Sequence, residues 1–461
     1  LCDIPVMGDD GYGYSAGYLS VGEMPTFKIF DESEQAYFDV HPSENHGFEI
    51  YEVFNIESMR VSMDYSISLH YYMNLISFYG LPEDPSVSVV MQDLAGNIDN
   101  VQGEGVSTQY FPLGNNWQGS LETLDIKSGY WLRMTDDAIL EGSGFPYNLN
   151  REYTLYKQGA NLISFPSVGS FNITDALPDD IENNITAIIG EGQSTVAASS
   201  DLEDLPVWVG TLNKFEGLHG YWIFTNENIS FSFDVNPDNM LPRETEQSQI
   251  SEIPAGLEFI QSSEQAFYFV DESAIEELDI EHGDWFASYC GSNLSGSRQF
   301  LGETIDIPVM GYDDHPTTAD YCEVGDTPEF KLFKSNTGEM INLYSEIPAW
   351  ESNGIFFVNN LMETPPLPVA FSMLSAYPNP FNPVTSIGFE IPTESMVQIR
   401  IFDLRGQEVA TLVNELTAPG RYSINWNASN VASGIYFINF TASGNGFAAP
   451  ITHIQKLMLI K

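Results

Sequence analysis

Positive charge is scarce in this sequence: 16 Lys and Arg stand against 65 Asp and Glu, a formal net charge of −49. Such a surface repels phosphate backbones and anionic membranes, which argues against nucleic acid as a partner. It also strains the compact state by self-repulsion, and salt or bound divalent cations relieve that strain, so the composition suits a saline or calcium-containing exterior. Long apolar runs are missing too, with no stretch approaching the ~18 to 20 residues of a transmembrane helix. Cysteine is nearly absent. Cys2, Cys290 and Cys322 form neither a CxxC pair nor a zinc-ligand spacing. Two readings of them stay open: Cys290 and Cys322 pair within one module of an exported chain, leaving Cys2 for a partner, or all three are buried thiols. No signal peptide is visible at Leu1.

Familiar catalytic patterns are lacking as well. None of the seven histidines lies in HExxH or another zinc-binding pair, and His41 and His46 sit together in a polar loop. There is no GxSxG elbow, no P-loop and no GxGxxG opening a helix. Carboxylates are too abundant for a glycosidase pair to stand out. No catalytic residue is assigned, and the expectation is a fragment without enzymatic activity.

What is present is globular. Aromatic residues make up 13% and hydrophobic residues 43% of the 461, enough to fill the three to five cores that a chain of this length needs. Two repeats organise it. Asp3 to Phe30 opens DIPVMGDD and closes GEMPTFKIF; Asp306 to Phe333 opens DIPVMGYD and closes GDTPEFKLF, at a constant separation of 303. The later copy follows some fifty strand-like residues (LEFIQSSEQAFYFV, GDWFASYC) that the earlier copy lacks, so the sequence reads as a fragment starting inside a module. In the second repeat, NLISF at Asn74 to Phe78 recurs 87 residues on at Asn161 to Phe165, as does Gly103-Glu104-Gly105 at Gly190-Glu191-Gly192. WQGSL and GYW recur at a separation of 91, as WVGTL and GYW.

Elsewhere short β-branched and aromatic runs are punctuated by Gly, Asn, Asp and Pro without a sustained 3.6-residue period. The fold class is therefore mainly β: tandem small sandwich-like modules, a few short helices (one near Ala176 to Asn183), and a C-terminal immunoglobulin-like sandwich. The expected boundaries are 1–60 for the partial module, 61–150 and 151–237 for the two NLISF/GYW units, 253–363 for the complete module, 364–376 for a linker and 377–461 for the last domain. Spacers are read at Pro237 to Glu252 and at Glu363 to Ala376, the second stiffened by prolines.

Two features suggest ligands. Asp9 and Asp10, with Asp313 and Asp314 in the other copy, offer hard oxygen donors in turns and make calcium the candidate ion, although no EF-hand pattern is present and Asp9 becomes Tyr312. Trp131 and Trp222 of the GYW motifs are either sugar-stacking platforms or core.

The last 85 residues are the most specific. YPNPFNP at Tyr377 to Pro383 is followed by SIGFEI, VQIRIFD with an Arg405-Gly406 turn, EVATLV, APGRY at Ala418 to Tyr422, SGIYF and a terminal lysine after an apolar strand. This order resembles the C-terminal sorting domains of type IX secretion system cargo; flagellar hook-assembly proteins hold similar sandwiches in a purely structural role. The resemblance implies an immunoglobulin-like fold, export across the outer membrane of a Gram-negative bacterium, and contact with the secretion and sorting machinery. It further implies removal of the tail as the cargo is joined to surface lipopolysaccharide, and assigns the motif to Pro378, Asn379, Pro380, Gly406, Gly434, Lys456 and Lys461. The PVMG modules are similar to repeats in large extracellular proteins bearing such tails. Two functions follow as expectations: a secreted surface protein of structural or adhesive role with glycans or lipopolysaccharide as partners, or the accessory and sorting region of an exported hydrolase whose catalytic domain lies upstream.

Overall fold

The computed structural model describes the chain except residues 1–2, 33–34, 115, 147–148, 158, 160, 200–204, 237–238, 242–252, 277, 303, 366 and 445–448. Cys2 and most of the Pro237 to Glu252 spacer therefore lie outside the described residues. Strands dominate, joined by short helices such as Val87–Val90, Ile173–Ala176 and Asp179–Glu182. Two compact units divide the chain, Leu1–Glu363 and Thr364–Lys461. No helix among the described residues is long and apolar enough to cross a membrane.

Within the first unit, the two NLISF/GYW segments build five-stranded antiparallel sheets of the same order. In one, Tyr72–Ser77, Gly129–Met134, Ile98–Gly103, Val106–Phe111 and Asn116–Gly119 are neighbours in that sequence; in the other, Asn161–Ser164, Gly220–Thr225, Ile185–Ile189, Ser194–Ala198 and Val207–Gly210. The NLISF strands have no alternation to read because both faces are covered: every residue of Tyr72–Ser77 and of Asn161–Ser164 is buried. A strand buried on both sides reads as a continuous apolar run. One face packs on the segment's own core, around Phe78 and Leu132 in the first and Phe165 and Ile223 in the second. The other face meets the sister segment. Leu75, Trp131 and Leu162 form a separate buried cluster there, with Trp222 packed against it, and Trp131 is 3% exposed.

Residues 257–361 form a two-sheet module. One sheet orders Ile305–Met310, Gln265–Val270 and Ile355–Val358, and the other Asn293–Gln299, Trp285–Cys290, Glu329–Lys334 and Glu339–Leu343. Cys290 and Cys322 are joined in a disulfide, Cα atoms 5.3 Å apart, so of the two cysteine readings pairing holds. The N-terminal segment reproduces the second part of this module's loop geometry. A parallel bridge joins Gly8 to Leu19 and another joins Gly311 to Cys322; Phe48 and Trp350 lie over Gly8 and Gly311, where a Cβ would meet either ring at 2.2 Å. Glycine is required at both positions by this close approach. The N-terminal segment then continues as a three-stranded meander of Phe27–Asp31, Ala36–Pro42 and Met59–Val61.

The second unit is a sandwich of a three-stranded sheet (Ser372–Met373, Val384–Ile391, Gly420–Asn427) and a four-stranded one (Glu408–Thr417, Ser395–Phe402, Gly434–Ser443, Ile451–Leu459). Burial alternates strictly along Ser395–Phe402 and, from Ile435 onward, along Gly434–Ser443, the period-two signature of a sheet with one face on the core. That core gathers Ile387, Ile399, Ile438, Phe440 and Leu457. The spacer read at Glu363 to Ala376 is partly structured: Ser372–Met373 pairs with Phe389 and Glu390 because Phe371 and Met373 pack against the sandwich core.

Candidate functional site: the end of the C-terminal sandwich

The YPNPFNP segment and the last strand, at opposite ends of the tail sequence, are brought together. Phe381 bridges Leu459 in parallel, its amide donating to Met458 O at 2.9 Å while Ile460 N donates to Phe381 O at 3.0 Å. Proline cannot supply ladder donors, and Asn379 stands in for them. Its Nδ2 donates to Lys456 O at 3.0 Å, and its Oδ1 accepts from Met458 N at 3.0 Å. One side chain thus occupies both a donor and an acceptor of the final strand, which protects an edge that could otherwise pair with another chain. Pro378 O accepts from Thr385 Oγ1 at 2.8 Å, fixing the segment to the first long strand.

Gly434 pairs with Leu459, and Phe402, directly before the Arg405-Gly406 turn, pairs with Phe437. The register therefore puts Gly406, Gly434, the PNP segment and Lys461 at one end of the four-stranded sheet. Gly406 adopts φ 77°, a left-handed conformation that only glycine takes without strain. The turn is closed by Asp403, whose Oδ1 accepts from Arg405 N and Gln407 N at 2.8 and 2.9 Å. Lys456 is exposed and contributes its carbonyl. Lys461 is held at both ends: its amide donates to Ser433 Oγ at 3.1 Å and its Nζ to Ser429 O at 2.6 Å. Asp403 and Ser433 lie inside the VQIRIFD and SGIYF runs, but neither they nor Ser429 carry a sequence signal for these contacts.

The acidic turns lie in the other unit. Asp9 Oδ1 accepts from Gly11 N and Ser15 Oγ at 2.8 and 2.7 Å; Asp10 accepts from Tyr12 N, Ser15 Oγ and Tyr14 Oη. The Ser15 hydroxyl is the main cause that holds both carboxyls below their ordinary value. In the other copy Asp313 accepts from Thr318 Oγ1 and from Tyr72 Oη, the latter at 2.7 Å, while Asp314 is exposed at φ 62°. Asp10 with Ser15 and Asp313 with Thr318 are the same pair in the two copies, so this position staples its own loop. Among the described residues no group of three or more His, Cys, Asp or Glu could hold a metal ion.

The sandwich, with its entry segment clamped onto its last strand, is a compact unit of its own, Thr364–Lys461. Residues 375–450 match the family model described as "Secretion system C-terminal sorting domain". The chain carries a C-terminal sorting domain of type IX secretion cargo, and the protein is exported by that system, to be secreted or held at the surface of a Gram-negative bacterium. No curated protein matches the chain. Among solved structures, dimeric latent PorU from Porphyromonas gingivalis aligns at 10% identity with a TM-score of 0.18, over 74% of this chain and 36% of that one. The chain thus spans little more than a third of that protein's length.

Proposed function

We infer that the exported cargo is a surface protein of structural or adhesive role, a stack of β modules rather than a hydrolytic domain. The observation that carries this reading is the turn Gly190-Glu191-Gly192, where three modules are fastened at once. Glu191 reaches the first NLISF strand at Leu75 N, Gln265 Nε2 of the complete module donates to Gly190 O, and Arg298 Nη2 donates to Gly192 O, at 2.6, 2.9 and 2.6 Å. Polar contacts of this kind, part-buried or buried, fix one relative placement of modules, whereas independent accessory domains are joined by mobile linkers. A rigid array suits a spacer or a binding surface held away from the cell.

Deleting residues 61–237 in a type IX-competent host should leave export intact and reduce attachment of cells to a solid or cellular surface. Unchanged attachment and unchanged surface architecture would refute the reading. Deleting Tyr377 to Lys461 instead should leave the protein in the periplasm. Mature surface protein should lack the tail by intact mass, with cleavage in or near residues 364–376.

A further inference from the structure

The separations of 87 and 91 residues allow the outward faces of the two five-stranded sheets to be compared row by row. In the second repeat, Phe224, Ala187, Val196 and Val209 stand opposite one another across four neighbouring strands. Ala187 and Val196 are buried there in one cluster with Phe267 and Phe269 of the complete module, and Val209 and Phe224 pack against it. At the four matching positions the first repeat holds Arg133, Asn100, Gln109 and Gln118, in the same register. The face that docks a module in one repeat is thus a polar row in the other, and its Gln109 and Gln118 are exposed.

The row has the chemistry of a surface for an uncharged polar ligand. Arg133 is neutralised by Asp99, its Nε and Nη2 lying 2.7 and 2.6 Å from Asp99 Oδ2. Asn100 is 8% exposed, and its Oδ1 is buried without a hydrogen-bond partner, a state that costs free energy until a donor meets it. An apolar partner would leave these amides unpaired on burial. A carboxamide presents an acceptor oxygen beside a donor nitrogen, which matches the adjacent hydroxyls of a sugar ring. Members of the row lie about 4.8 Å apart, the spacing of neighbouring strands, close to the advance per residue of an extended chain of β-linked hexoses. Phe111, two residues beyond Gln109 and therefore on the same face, is 39% exposed and offers its ring beside the row.

We propose that the outward face of the first repeat's sheet, along Asn100, Gln109 and Gln118, binds an extended neutral chain of β-linked hexoses laid across the strands, with Phe111 as a stacking surface beside it. The inference rests on the adhesive reading above and gives that reading a class of ligand.

The test titrates cellohexaose, a soluble chain of β-linked glucose, into the full chain and follows binding by calorimetry. Saturable binding is expected, and Gln109→Ala and Gln118→Ala should each weaken it about fivefold or more, one lost hydrogen-bonding group apiece. Gln109→Val combined with Gln118→Val places on the first repeat the residues that the second repeat holds at the same backbone positions. This double variant should keep its fold by circular dichroism and lose binding. No binding by the unaltered chain would overturn the proposal, and so would binding that the double variant retains. If the double variant aggregates, the alanine variants decide alone, and unchanged affinity in both overturns the proposal. Cell attachment that depends on residues 61–237, found together with a full chain that does not bind cellohexaose, would overturn this inference and leave the adhesive reading standing.

Discussion

Glu191 accepts the backbone amide of Leu75 at 2.6 Å, and the residue matching Glu191 in the other repeat, Glu104, accepts the amide of Leu162 at 3.2 Å. Leu162 in turn matches Leu75, so the two repeats hold each other reciprocally, as two subunits do across a twofold axis. The relation extends beyond the carboxylates. Ser77 N donates to Leu218 O and Ser164 N to Lys127 O, at 2.8 and 3.0 Å, and Ile76 bridges His219 as Ile163 bridges Ser128. The two halves differ at His70, which lies against Glu191, Nε2 to Oε1 2.5 Å, where the matching position is Lys157.

This asymmetry predicts a pH dependence. Hydrogen bonding to Glu191 raises His70 above its ordinary 6.5, outweighing partial burial, with Tyr71 O and Asp137 adding to the rise. Folding therefore favours the protonated imidazole; the pair's contribution is complete below the unfolded value and is lost as pH rises through the folded one. Glu191→Gln should lower the thermal midpoint more at pH about 5.5 than at about 8.5, either side of the ordinary imidazole value. Glu104→Gln should lower it equally at both. A pH-independent loss in Glu191→Gln would show that the imidazole plays no part.

Leu75 and Leu162 are the apolar centre of the same interface, each nearly fully buried. Truncating either to Ala should cost about 2–5 kcal/mol, the usual range for a large-to-small change in a core. Because a multi-module chain need not unfold in one step, the measure is the local opening energy of the NLISF strands by hydrogen exchange. A smaller effect at Leu162 than at Leu75 by more than the two-fold scatter of such values would contradict their equivalence.

The Cys290–Cys322 bond closes a segment with a sequence separation of 32. On chain-entropy grounds, replacing both cysteines by Ser should destabilise the 257–361 module by about 3–4 kcal/mol. Denaturant titration followed at Trp285 or Trp350, both within that module, would detect the loss. No change in its midpoint would mean that the link is not formed in the folded protein.

Asn379→Ala removes both side-chain partners of the last strand, leaving Lys456 O and Met458 N unpaired by that residue. Destabilisation of about 1–3 kcal/mol is expected, together with weaker surface display. Asn379→Asp keeps only the acceptor and should fall between. If Asn379→Ala unfolds no earlier than wild type yet blocks display, the residue acts in recognition rather than in clamping the strand.

The C-terminal sandwich was legible because its strands have one wet face. Alternation along Ser395–Phe402 and prolines at Tyr377 to Pro383 report local rules, namely the pleat and the missing proline donor. Within the motif, Gly406 could be read as a turn from Arg405-Gly406 alone. That Asn379 would meet Lys456 and Met458 could not, since a contact across some 79 residues depends on how the two sheets close.

The sequence by itself determined the class of the fold, the correspondence of the repeated segments and the identity of the exporting tail, because apolar period, turn residues and recurring motifs are written locally. Only the tertiary structure decided what the recurring residues do. Trp131 became an interface core residue, and Glu104 and Glu191 became clasps between repeats. Asp10 and Asp313 became loop staples. Each of these roles requires a partner that local pattern does not name, and the pairing is settled by which apolar faces must be covered together.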